Sequence, residues 1–577
     1  MKNQEIARAF SEIADLLELK GENPFRIRAY RRAAQNIESL SRDIAKLSED
    51  ELTAIPGIGK DLAGKIREYL SHGRMEALES LRQEVPPGLT GIMSVPGVGP
   101  RTARLLFKEL NVKDVDELEG LAREGRLQGL PGIRKKTEEN ILRGIEMLKR
   151  GRERQPLGKV LPVAEDIIEK LKGVSGIGKL HVAGSLRRWK ETIKDIDILA
   201  TSSEPQGVMN AFVRLPGVQE VLLKGPTKSS VVLGEGLQVD LRVVEEGSFG
   251  AALQYFTGSK AHNIRIRELA VKRGLKINEY GVFREADGKK MGGEKEEDVY
   301  RLIGLPYIPP ELREDFGEIE AAVAGRLPRL VTLEDIRGDL HVHSKWSDGS
   351  HGIEELVTAA RELGYQYIAI TDHSKGLGIA GGLTPEEVLE QKREIDALNK
   401  KLRGFRVFTG VEVDIRSDGT LDLPDEVLKQ LDLVVASIHS GFRQSAKQLT
   451  MRLVSAMKNP YVHVIAHPTG RIIGERDAYE IDMKEFMRVA KETSTALEIN
   501  AYPMRLDLSD RHAREAKSLG IPIVINTDTH ILTQFKYMRY GVAMARRGWL
   551  EPGDIINTLN LKDIERFIKQ GVSVKKP

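Results

Sequence analysis

The spacing of apolar positions divides the chain into three stretches with different patterns. Residues 1–150 repeat apolar side chains at helical spacing between short Pro-Gly turns, which predicts an all-α region. From about residue 155, β-branched apolar runs alternate with helical segments, which predicts a mixed α+β region. Near residue 335 a series of apolar strands and helices begins, and nearly every strand ends in His, Asp or Glu. This pattern predicts a parallel barrel with its site at the carboxyl ends of the strands.

The predicted strands are short and bounded by turn residues. Those of the middle region are KLHVAGSL (179–186), DIDILAT (195–201), GVQEVLL (217–223), SSVVL (229–233) and LQVDLRVV (237–244), followed by a hairpin with an Asp-Gly turn at 280–293. Those of the last region are YIAITDH (367–373), FRVFTGVEVD (405–414), LDLVVASIH (431–439), VHVIAHP (462–468), STALEIN (494–500) and PIVINTDTH (522–530).

A repeated motif stands out in the helical region. IPGIGKDLAGKI (55–66) and VPGVGPRTARLL (95–106) share two glycines before a helix start, and LPGIRKKTEENI (130–141) is a weaker copy in which Arg134 replaces the second glycine. Glycine allows a tight turn and a close approach of phosphate, which the N–H groups of the following helix then face. A plain turn between packed helices is the alternative. The repetition favours helix-hairpin-helix DNA-binding motifs, with contacts at Gly57, Gly59, Gly97 and Gly99.

Composition narrows the class of protein. The chain has 577 residues, of which 40% are hydrophobic and 30% charged, with a net charge of +3. This length predicts about three to five domains. The absence of cysteine excludes disulfides and thiolate metal sites, which leaves His and carboxylates as strong metal ligands. The N-terminus lacks a signal-peptide pattern and no apolar run is long enough to span a membrane, so we expect a cytoplasmic protein without a membrane partner.

Three carboxylates in the middle region are spaced for metal binding. Asp195 and Asp197 are two residues apart on a predicted strand and therefore share a face, and Asp240 lies on another strand. Converging carboxylates repel each other unless cations lie between them, and two Mg²⁺ ions are the usual solution in phosphoryl transfer. Upstream, Gly184, Ser185 and the following arginines are suited to triphosphate oxygens. The alternative is a solvated pair at a strand end.

These motifs resemble those of a known polymerase family. GSLRRWKETIKDIDIL (184–199), LQVDLRVV (237–244) and LQYFTGSKAHNIRIR (253–267) are similar to the palm and thumb signatures of family X DNA polymerases, the DNA polymerase beta group, and the resemblance covers residues 1–320. It implies template-directed addition of dNTPs to a 3′-hydroxyl on gapped or primer-template DNA.

The resemblance also implies roles for single residues. Asp195 and Asp197 would bind both metals, and Asp240 would bind the catalytic metal and help to activate the 3′-hydroxyl. Ser185 and Arg188 would bind the β- and γ-phosphates, and Arg154 a further phosphate. The sugar pocket would be formed by Tyr255, Phe256 and Gly258. Asn263 would contact the edge of the base and Arg267 the templating strand. The chain departs from the best-known member at Gln238, where that protein has Arg.

The N-terminal domain resembles the lyase domain of the same family. Lys65 aligns with the lysine that forms a Schiff base, and Tyr30 also matches. Asp61 replaces a basic residue and Phe25 replaces a histidine. Since an amine nucleophile needs burial or nearby cations, these departures put 5′-deoxyribose-phosphate lyase activity in doubt, and a simple phosphate contact is the alternative role for Lys65.

The last region contains nine candidate ligands near strand ends. They are His341, His343, Asp348, His373, Glu412, His439, His467, Asp528 and His530. Imidazole and carboxylate ligands favour Mn²⁺, Zn²⁺ or Fe over Mg²⁺, and nine ligands are suited to two or three ions. A multinuclear site of this kind can make hydroxide and bind a phosphodiester. The other histidines are interpreted as structural: His72, His181, His262, His351, His463 and His512.

The ordered ligand set is similar to that of the PHP domain, the polymerase and histidinol phosphatase superfamily, over roughly 336–570. The resemblance implies a distorted (β/α)7 barrel and three metal sites: His341, His343, Glu412 and Asp528; Glu412, His439 and His467; and Asp348, His373 and His530. It implies 3′→5′ exonuclease activity, with abasic-site cleavage or 3′-phosphate removal as further reactions. We expect Mn²⁺ or Zn²⁺ there, up to three ions, and two Mg²⁺ ions in the polymerase site.

The predicted architecture is multidomain, and the enzyme is expected to be a monomeric repair polymerase. The domains are a helical lyase-like domain (1–85), helical fingers (86–154), a palm (155–243), a thumb (244–320), a linker (321–335) and a PHP barrel (336–577). Two other classes stay open at this stage. A nuclease or phosphatase with a middle domain that only binds nucleotide or DNA would incorporate nothing, and a DNA-binding scaffold would show no metal-dependent turnover.

Overall fold

The computed structural model describes residues 2–38, 44–55, 57–85, 87–95, 98–376 and 381–574. The chain forms two compact units, residues 1–152 and 153–577. Across the described residues, every helix falls short of the length and apolar content that crossing a bilayer requires.

The described residues of the first unit form helices joined by turns, without a strand, as predicted. Its helices are α1 (Lys2–Lys20), α2 (Pro24–Glu38), α3 (Glu49–Thr53), α4 (Lys60–His72), α5 (Glu76–Glu84), α6 (Pro87–Met93), α7 (Pro100–Leu110), α8 (Val115–Arg123) and α9 (Lys135–Glu153). Their apolar faces share one core, in which Phe10 of α1 meets the ring of Tyr30 of α2 edge-on at 5.5 Å.

The glycines of the repeated motif occupy equivalent positions. Gly59 and Gly99 are the N-cap residues of α4 and α7, and neither helix start has a side-chain cap. Gly57 has φ +80°, which an L side chain adopts only with strain. Gly97 lies outside the described residues. The repeat thus places two uncapped helix starts after glycine turns.

The middle region, the first part of the second unit, contains a five-stranded sheet. Its elements are β1 (Gln155–Pro156), α10 (Leu157–Lys172), β2 (Ile177–Val182), α11 (Gly184–Arg187), β3 (Thr192–Ile193), β4 (Asp195–Ser202), α12 (Pro205–Phe212), β5 (Val218–Lys224), β6 (Lys228–Leu233) and β7 (Gln238–Val244). The strand order is β2-β4-β7-β6-β5, with β4 parallel to β7. The predicted strand over 179–186 was wrong at its end, because Gly184 has φ +61° and starts a helical turn.

Two helices and a small sheet follow. They are α13 (Phe249–Thr257), α14 (Lys260–Val271), β8 (Leu275–Asn278), β9 (Gly281–Arg284), β10 (Lys290–Gly292), α15 (Glu296–Leu302) and α16 (Glu318–Val323). Strands β9 and β10 pair antiparallel, which confirms the predicted hairpin.

The last region is a nearly closed parallel barrel. Its elements are β11 (Gly338–Val342), α17 (Ile353–Glu362), β12 (Tyr367–Ile370), α18 (Pro385–Lys401), β13 (Arg406–Asp414), α19 (Asp425–Leu428), β14 (Leu433–Ser437), α20 (Ala446–Lys458), β15 (Val464–Ile465), α21 (Met483–Thr493), β16 (Ala496–Asn500), α22 (Asp510–Leu519), β17 (Ile523–Asn526), α23 (Met538–Arg547) and α24 (Leu561–Val574). The seven strands lie in chain order, and a bridge between Val342 and Thr529 joins the first strand to the end of the last. The predicted (β/α)7 barrel is confirmed.

The middle region and the barrel share a hydrophobic core. One cluster of buried side chains includes Leu157 and Leu241 of the middle region together with Val434 and Tyr540 of the barrel. Trp189 meets the ring of Tyr540 edge-on at 6.0 Å. These two parts therefore pack as one body.

Candidate active sites

The carboxylates of the middle region meet on one face of the sheet. Asp195 and Asp197 flank the buried Ile196 on β4, and residue 197 is the register partner of Asp240 on β7. Burial raises the pKa of Asp197 to about 7, and the negative charges of Asp195 and Asp240 add to the rise. Carboxylates that oppose one another's ionisation in this way are suited to hold cations.

Asp240 is held by two neighbours. Gln238 Nε2 donates to Asp240 Oδ1 at 2.8 Å, and Lys228 Nζ lies 3.1 Å from Asp240 Oδ2. Burial acts to raise the pKa of Asp240, but hydrogen bonds from Gln238, Ser230 and Lys228 outweigh it and lower the pKa. Thus Gln238 contacts the carboxylate as a neutral donor and Lys228 supplies the positive charge. The sequence motifs do not include Lys228, because it lies on a different strand, β6, and only the fold brings it next to Asp240.

The Gly-Ser turn contacts this carboxylate face directly. A Cβ at Gly184 would lie 2.3 Å from Asp197 Oδ2, so only glycine fits there without a shift. Arg188, at the end of the turn, donates from Nε to Glu314 Oε1 at 3.1 Å and from Nη1 to the carbonyl of Thr257. A Cβ at Gly258 would lie 3.3 Å from Arg188 Nη1. The turn around Ser185 therefore meets the YFTGS segment.

The remaining predicted nucleotide contacts lie on or after α13. The rings of Tyr255 and Phe256 meet edge-on at 5.1 Å. Asn263 is buried, donates to the carbonyl of Tyr255 at 2.7 Å, and accepts Arg267 Nε at its own carbonyl at 3.0 Å. Arg154 is elsewhere, where its Nε donates to Thr192 Oγ1 at 3.1 Å.

The nine candidate ligands of the barrel converge at the carboxyl ends of its strands. Three groups have ligand atoms within 4.8 Å of one another: His343, Asp348, His373 and His530; His341, His343 and Asp528; and His373, Glu412 and His439. His467 Nε2 lies 3.1 Å from Glu412 Oε1. The sets overlap at His343, His373 and Glu412, so they form one continuous centre.

Glu412 lies in the middle of this centre. Its Oε2 is 3.3 Å from His341 Nε2 and its Oε1 is 3.3 Å from His439 Nε2, so its two oxygens face different histidines. Burial acts to raise the pKa of Glu412, but His373, His439 and His341 hold it well below the usual range. A charged carboxylate with two separated faces can bridge two cations.

Whether these residues are suited to bind metal ions can be judged from the ring nitrogens that have no hydrogen-bond partner. Among the described residues, buried nitrogens without a hydrogen bond include His341 Nε2, both ring nitrogens of His343, His373 Nδ1 and His467 Nδ1. Buried polar atoms are normally hydrogen-bonded. Burial, His530 and His373 lower the pKa of His343 to about 3, which keeps this imidazole neutral, with the lone pair of one ring nitrogen available to a metal ion. The donor set therefore fits divalent transition metals.

A second layer of carboxylates orients the ligands. Glu498 is fully buried, and its Oε1 lies 2.8 Å from His341 Nδ1 while its Oε2 accepts the backbone N–H of His467 at 2.7 Å. Such partners fix the ring orientation of metal-binding histidines. Sequence reasoning missed Glu498, although a carboxylate inside the apolar strand STALEIN was a usable signal. Other buried carboxylates near the ligands are Asp339, Asp372, Asp414 and Asp507.

Two ligands also have unusual backbone conformations. His467 has φ +28° and Asp528 has φ +55°. Positive φ is uncommon in residues other than glycine and tends to occur at functional sites, where surrounding contacts hold it.

Lys65 and His262, one of the histidines interpreted as structural, have ordinary partners. Lys65 Nζ lies 2.5 Å from Asp61 Oδ1 on the same helix. His262 is buried between Glu318, 2.7 Å from its Nδ1, and the hydroxyl of Tyr300, 3.1 Å from its Nε2.

Four family models match segments of the chain. The matching models are a helix-hairpin-helix domain at 1–75, a SAM-like helix-hairpin-helix tandem at 90–146, the DNA polymerase beta thumb at 252–314 and the PHP domain at 339–502.

Similar proteins cover the whole chain or its halves. A Bacillus subtilis protein named DNA polymerase/3′-5′ exonuclease PolX is 43% identical over 572 residues, which is 99% of this chain and 100% of that protein. Rat DNA polymerase lambda is 26% identical over 54% of this chain and 56% of its own length. A Thermoanaerobacter protein with the name "Probable phosphatase" is 28% identical over 40% of this chain and 94% of its own length.

The chain belongs to the family X DNA polymerases that carry a C-terminal PHP domain. The resemblance that the sequence motifs indicated is thereby confirmed, and with it the combination of a polymerase and a phosphoesterase domain.

Proposed function

We propose that this protein is a DNA repair polymerase that fills short gaps with dNTPs and trims 3′ ends in its PHP domain. The observation that carries the proposal is the presence of two separate clusters of side chains that are suited to bind cations. One consists of carboxylates on the sheet of the middle region, and the other of imidazoles and carboxylates at the end of the barrel. We retain the predicted domain boundaries, 1–85, 86–154, 155–243, 244–320, 321–335 and 336–577, as part of the proposal.

In the polymerase site, Asp195, Asp197 and Asp240 would hold two Mg²⁺ ions, whose positive charge would supply neutralisation of the phosphates and a lowered pKa for the attacking hydroxyl. Arg188 and Ser185 bind the β- and γ-phosphates. Gly184 lies beside Asp197. The sugar of the nucleotide contacts Tyr255, Phe256 and Gly258, and the edge of its base contacts Asn263. Arg267 contacts the template strand and Arg154 a further phosphate.

DNA binding by the first unit depends on the repeated glycine turns. Gly57, Gly59, Gly97 and Gly99 let the backbone approach phosphates, so these contacts position the duplex without reading its sequence. Lys65 contributes a phosphate contact. Because its ammonium is paired with Asp61, lyase chemistry is left out of the proposal.

In the PHP site the nine ligands would hold up to three Mn²⁺ or Zn²⁺ ions, and the chemistry that such ions would supply is positive charge for the phosphodiester and activation of the attacking water. His341, His343, Glu412 and Asp528 form the first set, Glu412, His439 and His467 the second, and Asp348, His373 and His530 the third. Glu498 fixes the ring of His341 so that its Nε2 faces Glu412 and Asp528.

Removal of a 3′-phosphate is a second candidate reaction of the PHP site. The observation that favours it is the similarity of the barrel to proteins with "Probable phosphatase" as their name. A gapped duplex with a 3′-phosphate would distinguish the two reactions, since phosphatase action leaves the primer length unchanged.

The test of the main proposal is an assay on a one-nucleotide gap with a labelled primer. We expect one-nucleotide extension with dNTPs and Mg²⁺, and shortening of the primer with Mn²⁺ in the absence of dNTPs. A nuclease with an inactive middle domain would shorten the primer and never extend it. A DNA-binding scaffold would do neither.

A further inference from the structure

Helix α23 of the barrel carries three arginines that contact the polymerase half. Arg539 Nη1 lies 2.7 Å from Glu165 Oε1 on α10. Arg546 Nε lies 2.7 Å from Glu311 Oε1, just before α16. Arg547 is the last residue of the helix, and its side chain is only 2% exposed. Of these three, Arg547 is the one that contacts Arg188.

Arg547 contacts the segment that contains the nucleotide-binding arginine. Its Nη1 donates to the backbone carbonyl of Arg188 at 2.7 Å and to Glu314 Oε1 at 3.1 Å. Its Nε donates to Asp510 Oδ2 at 2.9 Å, which anchors the guanidinium to helix α22 of the barrel. The side chain therefore joins the PHP domain to the Gly-Ser turn.

Arg188 and Arg547 share one carboxylate oxygen. Arg188 Nε donates to the same Glu314 Oε1 at 3.1 Å, and Lys190 Nζ lies 3.9 Å from it. The side chains of Arg188 and Glu314 are 12% and 11% exposed, so water screens these charges weakly. Arg547 therefore competes with Arg188 for the Glu314 carboxylate and weakens the attraction between Glu314 and Arg188.

We propose that Arg547 is a positioning residue for the incoming dNTP: it neutralises Glu314 and thereby leaves Arg188 available to the triphosphate. This inference rests on the proposed function, in which Arg188 binds the β- and γ-phosphates. Without Arg547, Glu314 holds Arg188 more strongly and its uncompensated charge repels the triphosphate. At an effective dielectric constant of about 20 and a separation of about 10 Å, one unit charge weakens dNTP binding roughly 10-fold.

The test compares Arg547→Met with the neighbouring Arg546→Met in gap filling by the full chain. We expect R547M to raise the KM for dNTP about tenfold with kcat within about threefold of wild type, because the chemistry is unchanged. Arg546 contacts Glu311 in the same interface but neither Arg188 nor Glu314, so R546M should leave KM unchanged. Titration of a dNTP into enzyme on dideoxy-terminated gapped DNA should show the same weakening for R547M.

A double variant separates positioning from mere packing. In the background of Glu314→Gln the carboxylate that Arg547 shares with Arg188 is absent and only Asp510 loses its partner, so adding R547M should raise KM much less than it does in the wild type. A packing role predicts the same loss in both backgrounds, and that result would overturn the inference. The exonuclease rate of each variant, within about twofold of wild type, verifies that the barrel is folded.

The outcomes also distinguish this inference from the proposed function. If the wild type extends no primer, the proposed function fails. If the wild type extends primers and R547M has an unchanged KM, only the inference fails. Should R547M not fold, E314Q alone decides: we expect a lower KM than wild type, and an equal or higher KM contradicts the inference.

Discussion

Asp197 and Asp240 lie side by side because residues 197 and 240 are register partners on adjacent parallel strands. The pairing places two negative charges together in a half-buried face, and Asp195 adds a third. The repulsion within this cluster is relieved by a bound cation or by a proton on Asp197, so the strand register itself prepares the metal site.

The two clusters should be separable by substitution. We expect Asp195→Ala with Asp197→Ala to abolish primer extension and leave 3′ trimming intact, because the barrel keeps all of its ligands. His341→Ala with His343→Ala should do the reverse. Both are measured on the same labelled gapped duplex. If either pair of substitutions abolished both reactions in a folded protein, the two-site interpretation would be wrong.

Gly184 should tolerate no side chain. In Gly184→Ala the new Cβ would meet Asp197 Oδ2 at 2.3 Å, on a backbone with φ +61°. Displacing this carboxylate by about 1 Å should slow extension on the order of 100-fold. Gly217→Ala is the control, because it also has positive φ, +92°, but open space around the added Cβ. Equal extension rates for the two variants would contradict the steric argument.

Glu498 should control metal affinity in the PHP site. Replacing it with Gln removes the charge that orients His341, and we expect the affinity for Mn²⁺ to fall about 10–100-fold. Calorimetric titration with Mn²⁺ measures this directly, and excess metal should restore part of the exonuclease rate. Glu485→Gln, at a surface pair with Arg488, is the matched control. Unchanged Mn²⁺ binding in E498Q would assign Glu498 a different role.

Metal binding by the polymerase site should depend on pH. Since the pKa of Asp197 is raised to about 7, protons compete with Mg²⁺ below that pH and no longer compete above it. The Mg²⁺ concentration for half-maximal extension should fall about fivefold from pH 6 to pH 7 and less than about twofold from pH 7 to pH 8. A half-saturation value that does not vary with pH would show that Asp197 is already ionised at pH 6.

Glu296 should stabilise the thumb in a pH-dependent way. Burial acts to raise its pKa, but Arg313 and Arg187 lower it to about 2. A lowered carboxyl pKa contributes stability that is complete above the unfolded value near 4.5 and is lost as the pH falls towards 2. Glu296→Gln leaves Arg313 buried without its charge partner and should cost roughly 3–5 kcal/mol at pH 7.

Thermal midpoints measure this effect at pH 7, 5 and 3. We expect the difference between wild type and E296Q to shrink between pH 5 and pH 3. Glu297→Gln changes the exposed neighbouring residue and should leave the midpoint nearly unchanged. A difference that is constant with pH would mean that Glu296 stabilises by packing and not by charge.

The sequence predicted most of the fold, because periodicity and turn residues are local signals. The DxD strand and the glycine-rich turn were visible as motifs, and so were the histidines at the ends of the barrel strands. Lys228, Glu498 and Arg547 were not found. Each acts through a partner far away in the chain or on another strand, and a single sequence contains no information on such pairings.

The shared core of the middle region and the barrel restricts how the two activities can be dissected. Cutting the chain between residues 321 and 335 would expose Tyr540 on one fragment and the surface around Trp189 on the other, both of which are now packed together. Each isolated half would expose apolar surface to solvent and would aggregate. A lower turnover number of a truncated polymerase would then result from its disrupted core and not from the loss of the PHP site. Point substitutions are therefore the better way to assign each reaction to its site.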